Sequence, residues 1–451
     1  MVVAIVLVLL VVGSVLFHYL SPWYFTPIAS NWGTIDDTVT ITFWVTGFVF
    51  VTVNLFLAYC VVRYRHTKGK RAIYEPENKK LEGWLVVLTS VGVAAMLAPG
   101  LVVWAKFVDV PKDAAVFEVV GKQWHWGYRF PGNDGMLGTA DARFVSDKNP
   151  FGLNPDDPLG QDDVLIASPE LHLPMGRPFK ALLRSIDVLH NFTVPQFRVK
   201  MDLVPGLVTY VWFNATRAGK FDVLCEELCG VAHFTMRGKV VVEEEPAFRA
   251  WLSSYPTFAQ ASAQVAGNAG AGEPLYAVCA ACHGLQGEGN ATLNAPKLSG
   301  QGDWYLKRQL QHFKSGARGA HEKDAFGKVM APMAATLADN AAIDNVVAFI
   351  KTLPDRPAPT TLTKIVGGGP ALYQTCGACH GADGRGIQAT NAPRLKGMSD
   401  WYMVTQLKNF KHGVRGAHSK DLYGQQMVSL AASLTDDQAI DAVVAYINTF
   451  K

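Results

Sequence analysis

The sequence predicts a multidomain chain: N-terminal transmembrane helices, then a β-sandwich, then two all-α units. Three observations predict this order. Residues 1–20, 38–62 and 83–105 form apolar stretches without a single Asp, Glu, Lys or Arg. Residues 106–245 carry short runs that alternate at period two, the pattern of half-buried strands. Beyond them lie two similar segments offset by 97 positions, which marks a duplication. A length of 451 residues suits several domains, and 49% hydrophobic against 18% charged residues excludes a disordered chain. A net charge of +3 with no long basic tract leaves no footprint for nucleic-acid binding. Six of the seven cysteines sit in three close pairs, which points to ligands or attachment sites rather than a disulfide scaffold.

About 20 apolar residues cross a bilayer as a helix, so residues 38–105 read as a transmembrane hairpin. Its loop holds Arg63, Arg65, Lys68, Lys70, Arg71, Lys79 and Lys80, which places the loop in the cytoplasm and everything after residue 105 on the opposite side of the membrane lipid. Residues 1–20 lack both the basic start and the Ala-x-Ala site of a signal peptide. They are expected to be a retained third helix, with a cleaved signal as the alternative. Asn54 and Pro99, inside the spans, are expected to be satisfied by packing. Cys60 is expected to be an inert apolar residue.

The alternating runs VFEVVG, QWHWGYRF, LVTYVWF and GKVVVEE predict an antiparallel β-sandwich or barrel over 106–245. An insert at 131–165 is rich in Asp, Asn, Gly and Pro. Its Asp156, Asp157, Asp162 and Asp163 lack calcium-loop spacing and are expected to belong to a solvated loop. The segment Cys225-Glu-Glu-Leu-Cys229-Gly-Val-Ala-His233-Phe-Thr-Met236, with His190 upstream in Asp187-Val-Leu-His190, concentrates two thiols, two imidazoles and a thioether. Copper prefers such soft and borderline donors. A four-residue step from Cys225 to Cys229, and another to His233, lets one loop present them to a small cluster. A Cys225–Cys229 disulfide and a structural zinc site are the alternatives, and neither needs Met236.

This motif resembles the dinuclear copper (CuA) site of subunit II of haem-copper cytochrome c oxidases, a family with a helical hairpin followed by a cupredoxin domain. The resemblance implies that Cys225 and Cys229 bridge two coppers and that His190, His233 and Met236 are terminal ligands. It implies that Glu227 binds through its backbone carbonyl, with its side chain near a magnesium shared with subunit I. Trp124, in the run Gly121-Lys-Gln-Trp-His-Trp-Gly-Tyr128, is then expected to be the electron-exit residue. His125 stands where the family usually has Tyr. Glu82 resembles the acid at the mouth of a proton-uptake channel, although its spacing to Trp84 is one residue short.

PAFRAWLSSY, within the segment 246–272, reads as a short helix, and residues 256–272 read as a flexible linker rich in Ala, Gln, Gly and Ser. The duplicated units follow at 273–353 and 370–451, joined by a proline-stiffened linker at 354–369. Each carries Cys-x-x-Cys-His: Cys279, Cys282 and His283, then Cys376, Cys379 and His380. This spacing marks covalent haem c attachment; a redox dithiol is the alternative. The units resemble class I cytochromes c in tandem, whose sixth ligand is a methionine. Adding 97 to Met330 gives Met427, whereas adding it to Met333 gives Leu430, so the repeat selects Met330 and Met427. His321 and His418 also repeat and are alternative ligands. Trp304 and Trp401 are expected to pack in the core or on the haem.

Together these resemblances imply subunit II of a caa-type oxidase in a bacterial inner membrane, with the copper and haem domains on the periplasmic side. Electrons from an external cytochrome c or a quinol-oxidising complex would enter through a fused haem c, pass to the copper pair and leave near Trp124 to subunit I, where oxygen is reduced and protons are pumped. The copper- and haem c-containing subunit of a membrane nitric oxide reductase is the alternative.

Overall fold

The computed structural model describes residues 1–21, 26–69, 71, 74, 76–146, 149–263, 267–362 and 367–450. Lys70 of the basic loop lies outside the described residues. Helices α1 (Val2–Leu20), α2 (Gly33–Arg63) and α3 (Lys79–Val108) are each long and apolar enough to cross a membrane. α2 contacts both α1 and α3. The Asn54 amide donates to Phe50 O one turn back, at 2.8 Å, so the span satisfies its own polar side chain. Glu82 closes the start of α3: its carboxylate accepts from the Asn78 backbone N–H at 3.3 Å, while Asn78 Oδ1 accepts from Leu81 N at 3.1 Å. Both bonds satisfy donors that a helix start leaves unpaired.

Ten strands follow: β1 (Ala115–Lys122), β2 (His125–Phe130), β3 (Val164–Ile166), β4 (Glu170–Pro174), β5 (Pro178–Ser185), β6 (His190–Val194), β7 (Val199–Leu203), β8 (Thr209–Asn214), β9 (Gly219–Leu224) and β10 (Arg237–Glu243). They form two five-stranded sheets, ordered β3-β2-β1-β5-β8 and β4-β10-β9-β6-β7. The β-sandwich is as expected, but it is not wholly antiparallel, because β1 pairs with β5 and β10 with β4 in parallel. Parallel partners lie far apart in sequence, and local alternation carries no sign of their direction. One core joins the sheets, with Phe117, Trp126 and Tyr128 from the first and Phe192, Val223 and Val240 from the second. Beside it, buried Glu118 binds Arg129 at 2.9 Å and Arg184 at 2.9 Å, and Arg129 also binds Asp163 at 2.6 Å.

The membrane helices brace this domain directly. Arg198 grips Asp36, near the start of α2, with Nε–Oδ1 at 2.7 Å and Nη2–Oδ2 at 2.9 Å. Trp32 Nε1 donates to Trp212 O at 3.0 Å, and Trp212 Nε1 donates to Lys106 O at 3.1 Å near the end of α3. The four aspartates of the insert do not converge. Asp163 serves Arg129, Asp162 accepts from Asn133 N at 2.6 Å, and Asp157 accepts from Thr139 Oγ1 at 2.6 Å.

The segment expected to be a flexible linker is partly built in. After α4 (Glu245–Leu252), a short helix α5 (Phe258–Ser262) starts in a reciprocal cap between Thr257 and Gln260. Phe258 is buried in a small core with Leu165, and its N–H donates to Asp163 O at 2.8 Å. One aromatic anchor fixes a stretch whose composition otherwise reads as polar and small. The first helical unit then comprises α6 (Ala269–His283), α7 (Asp303–Ser315), α8 (Ala325–Ala335) and α9 (Asn340–Thr352). The second comprises α10 (Gly369–His380), α11 (Asp400–Lys411), α12 (Leu422–Ala431) and α13 (Asp437–Ile447). α6 begins four residues before the expected start at 273, where Asn268 caps it, and α10 begins one residue before the expected 370. The units keep separate small cores, one around Tyr276, Val346 and Ile350, the other around Tyr373, Val443 and Ile447.

Candidate functional site

Three strand ends build the first site. His190 opens β6, Cys225 directly follows β9 and Met236 directly precedes β10. Cys225 N donates to Met236 O at 3.2 Å, so the twelve-residue loop closes on its own backbone. Within it a 3₁₀ turn, His233–Thr235, turns the imidazole inward. The donor atoms converge. Cys225 Sγ lies 3.7 Å from Cys229 Sγ and 3.3 Å from Glu227 O. Cys229 Sγ lies 3.4 Å from His233 Nδ1 and 3.9 Å from Met236 Sδ. Ligand atoms of His190, Cys225 and Cys229 all fall within 4.8 Å of one another. Both thiols are free and buried, and a disulfide needs sulfurs about 2.05 Å apart. The site therefore holds two thiols side by side.

Electrostatics around the thiols suit a cation. The two thiols share one proton: their mutual hydrogen bond, helped by His190, holds the Cys225 thiol well below its ordinary value and pushes that of Cys229 up. Burial opposes protonation of His190, but the Asp187 carboxylate and the neighbouring Cys225 sulfur outweigh it and raise its pKa. His190 Nε2 lies 2.8 Å from Asp187 Oδ1, while its buried Nδ1 has no hydrogen-bond partner. One ring nitrogen fixed by a carboxylate and the other left for a metal is the usual arrangement of a ligating histidine. Sequence reading quoted Asp187 without giving it this role. Its other oxygen accepts from Gln123 N at 2.7 Å, which ties the ligand to the turn before Trp124.

Trp124, the expected exit residue, contacts both the copper loop and the second helical unit. Its Nε1 donates to Cys229 O at 3.1 Å, and its own carbonyl accepts from Gln426 Nε2 of α12 at 2.8 Å. The exposed side of the loop instead carries Leu228, Val231 and Phe234.

Each helical unit surrounds a cavity, of about 220 Å³ in the first and about 260 Å³ in the second. The first is lined by Cys279, Cys282, His283 and Met330; the second by Cys376, Cys379, His380 and Met427. His283 Nδ1 meets Pro296 O at 2.7 Å, and His380 Nδ1 meets Pro393 O at 2.7 Å. That contact fixes the tautomer and leaves Nε2 as the lone-pair donor. Burial lowers both pKa values and keeps the rings neutral, the carbonyl only partly opposing it. Met333 also lines the first cavity but is 37% exposed at its rim. His321 and His418 line neither cavity; each accepts a backbone N–H two residues on, from Lys323 and Lys420. Trp401 lines the cavity of the other unit rather than its own.

The cavities share a wall that sequence reading missed. Arg318 donates to Tyr402 Oη at 2.6 Å and to Gln309 Oε1 at 2.8 Å, and Arg415 donates to Tyr305 Oη at 2.9 Å and to Gln406 Oε1 at 2.9 Å. The two sets are related by the same offset of 97. Nε of each arginine is buried without a partner. The available signal was the retention of Tyr, Gln and Arg at equal places in both copies.

Residues 115–244 match the family model described as cytochrome C oxidase subunit II, periplasmic domain, and residues 269–354 and 367–451 each match cytochrome c. The chain is 63% identical over 259 residues to the alternative cytochrome c oxidase subunit 2 of Bradyrhizobium diazoefficiens, covering 57% of this chain and 94% of that one. It is 34% identical over 196 residues to cytochrome c4 of Azotobacter vinelandii, covering 41% and 90%. The solved structure of cytochrome c4 from Pseudomonas stutzeri aligns with 28% identity and a TM-score of 0.32, covering 41% of this chain and all of the other. These matches imply a CuA centre and covalently bound haem c. The chain belongs to the cytochrome c oxidase subunit II family, with two cytochrome c units following its copper domain.

Proposed function

We propose that the chain is the electron-entry subunit of a respiratory haem-copper oxidase. The observation that carries this reading is the convergence of two unbonded thiols, two imidazoles, a thioether and a carbonyl on one buried point. Cys225 and Cys229, with His190, His233, Met236 and the Glu227 carbonyl, would hold the copper pair. Cys279, Cys282, His283 and Met330 would hold one haem c; Cys376, Cys379, His380 and Met427 would hold the other. When bound, these groups supply one-electron redox chemistry. The chain's own residues fix the ligands: Asp187 orients His190, and the carbonyls of Pro296 and Pro393 orient His283 and His380. Burial keeps water away from the sulfur donors, and the loop's pinned ends keep the donors in place whichever charge the site carries.

Leu228, Val231 and Phe234 form an apolar rim beside the copper loop, a surface suited to a partner subunit. We assign that rim to subunit I, where oxygen reduction and proton pumping take place, and the Glu227 carboxylate is what this chain offers to a magnesium ion at the border. Trp124 lies on the cytochrome-facing side, so its place is on the input side of the copper site. The positive-inside orientation puts both kinds of redox domain on the periplasmic face of the inner membrane. The oxidase name of the 63% identical relative favours this reading over a nitric oxide reductase.

The test is visible and near-infrared spectroscopy of the purified complex with copper quantification. Two c-type haems and a mixed-valence copper band are expected, the band being lost in Cys225→Ser. A complex that consumes oxygen with no such band overturns the reading.

A further inference from the structure

The two helical units are copies of one another, yet they meet the copper domain differently. In the second unit, Ala378 and Cys379 of the haem-attachment motif pack against the core that contains Trp124, Cys225, Cys229 and Met236. α12 contacts the His233–Thr235 turn. Gln426 donates to Trp124 O at 2.8 Å, and Tyr423 donates to Ala167 O at 2.7 Å while its ring lies 5.2 Å from that of His125. In the first unit, the residue matching Cys379 is Cys282, which is exposed. The residues matching Tyr423 and Gln426 are Phe326 and Val329, which are 49% and 61% exposed. The comparison is like for like, since both sites are described without haem.

A continuous path follows from this asymmetry. Tyr305, Gln309, Tyr402 and Gln406 line both haem cavities, so the first cavity adjoins the second, and the second unit adjoins the copper loop. Resting on the ligand assignments above, we propose that the second cytochrome unit delivers electrons to the copper centre across the Tyr423–His125 and Gln426–Trp124 contact. The first unit is the outer one, and it takes electrons from an external haem protein. The repeat argues for a redox partner at that place: the face around Cys379 seats the copper domain, and the same face around Cys282 is open. One electron moves at each step. The donor's iron is oxidised as the iron held by His283 is reduced. That iron is oxidised as the one held by His380 is reduced, and that one in turn as the copper pair is reduced. No bond forms and no proton moves.

The test uses the intact purified complex, with its copper band and both haems confirmed first. Absence of the band removes the ligand reading itself; its presence with the wrong kinetics removes only the order proposed here. Tyr423→Ala/Gln426→Ala is expected to slow haem-to-copper transfer at least tenfold after flash reduction, and to raise amide hydrogen exchange at residues 124–126 and 233–236. Leu285→Arg, beside Cys282, is expected to slow uptake from a reduced, basic class I cytochrome c at least fivefold at low salt, because like charge reduces the association rate. Ala382→Arg, the matching position in the second unit, is expected to leave uptake unchanged. An unchanged haem-to-copper rate and exchange in the double variant, or an uptake defect with Ala382→Arg in place of Leu285→Arg, overturns the proposal.

Discussion

The copper loop and the haem cavities solve the same problem in opposite ways. The loop is a dense cluster on a sandwich that has its own core; its donor atoms already stand 3.3–3.9 Å apart. Each helical unit is a ring of four helices around an opening of 220–260 Å³, with only a small buried core beside it. The difference teaches that the β-domain presents a finished site to its metal, whereas each cytochrome unit depends on its cofactor to complete the fold.

The largest expected effect is therefore on haem removal. A haem-free first unit would keep only a small buried core beside a cavity of about 220 Å³, and a domain with so little interior is marginal on its own. Cys279→Ser/Cys282→Ser is expected to abolish cooperative unfolding of the first unit and to lower the helical circular dichroism of the full chain. Copper removal is expected to leave the β-domain transition in place. Loss of both transitions on copper removal would erase the contrast.

The next effect sharpens the idea that the β-domain stands on its own interior. Glu118 is buried between Arg129 and Arg184. Burial opposes its charge, yet the two guanidiniums outweigh it and hold its pKa below the ordinary value. Glu118→Gln leaves Arg184 without a carboxylate and Arg129 with Asp163 alone, and is expected to cost about 3 kcal/mol, read as a lowered midpoint of the β-domain transition. The wild-type contribution is present above the unfolded carboxylate pKa and is lost as pH falls through the depressed folded value.

Asp187→Asn tests the support behind the copper ligands. Releasing His190 from its carboxylate is expected to weaken copper binding by about 10- to 100-fold, measured by competition with a chelator, with little change in the far-ultraviolet spectrum. The smallest effect is at the edge of the domain. His172 lies between Glu170 and Glu243, at 3.0 and 2.7 Å, and stacks on Trp251 of α4 at 4.4 Å. Burial opposes its charge, but the two carboxylates outweigh burial and raise its pKa. Its stabilising charge is fully present below the unfolded value of about 6.5 and is lost as pH rises through the raised folded value. Trp251 fluorescence should report loosening of α4 over that range, and His172→Gln should remove the pH dependence.

The same contrast governs what the sequence made legible. The proposed copper ligands lie in one twelve-residue loop plus one strand start, and the proposed haem attachment residues in Cys-x-x-Cys-His, so local spacing and the family resemblance were enough to nominate both. Met330 was separable from Met333 because the duplication supplied an internal standard, and both Met330 and Met427 line their cavities. What stayed hidden depends on residues distant in the chain. The parallel pairing of β1 with β5, the Arg318–Tyr402 contact between units and the seat of α12 on Trp124 all join segments that no local pattern connects. Phe258 was hidden for another reason: one buried aromatic in a stretch of small residues overrode the composition that reads as a linker.

The central claim is tested most directly by an anomalous-scattering map of the matured protein, recorded at the copper and iron edges. The account predicts two copper peaks between Cys225 and Cys229 and one iron peak beside each of His283 and His380. A single sulfur–sulfur bond joining positions 225 and 229, with no copper signal, would contradict it.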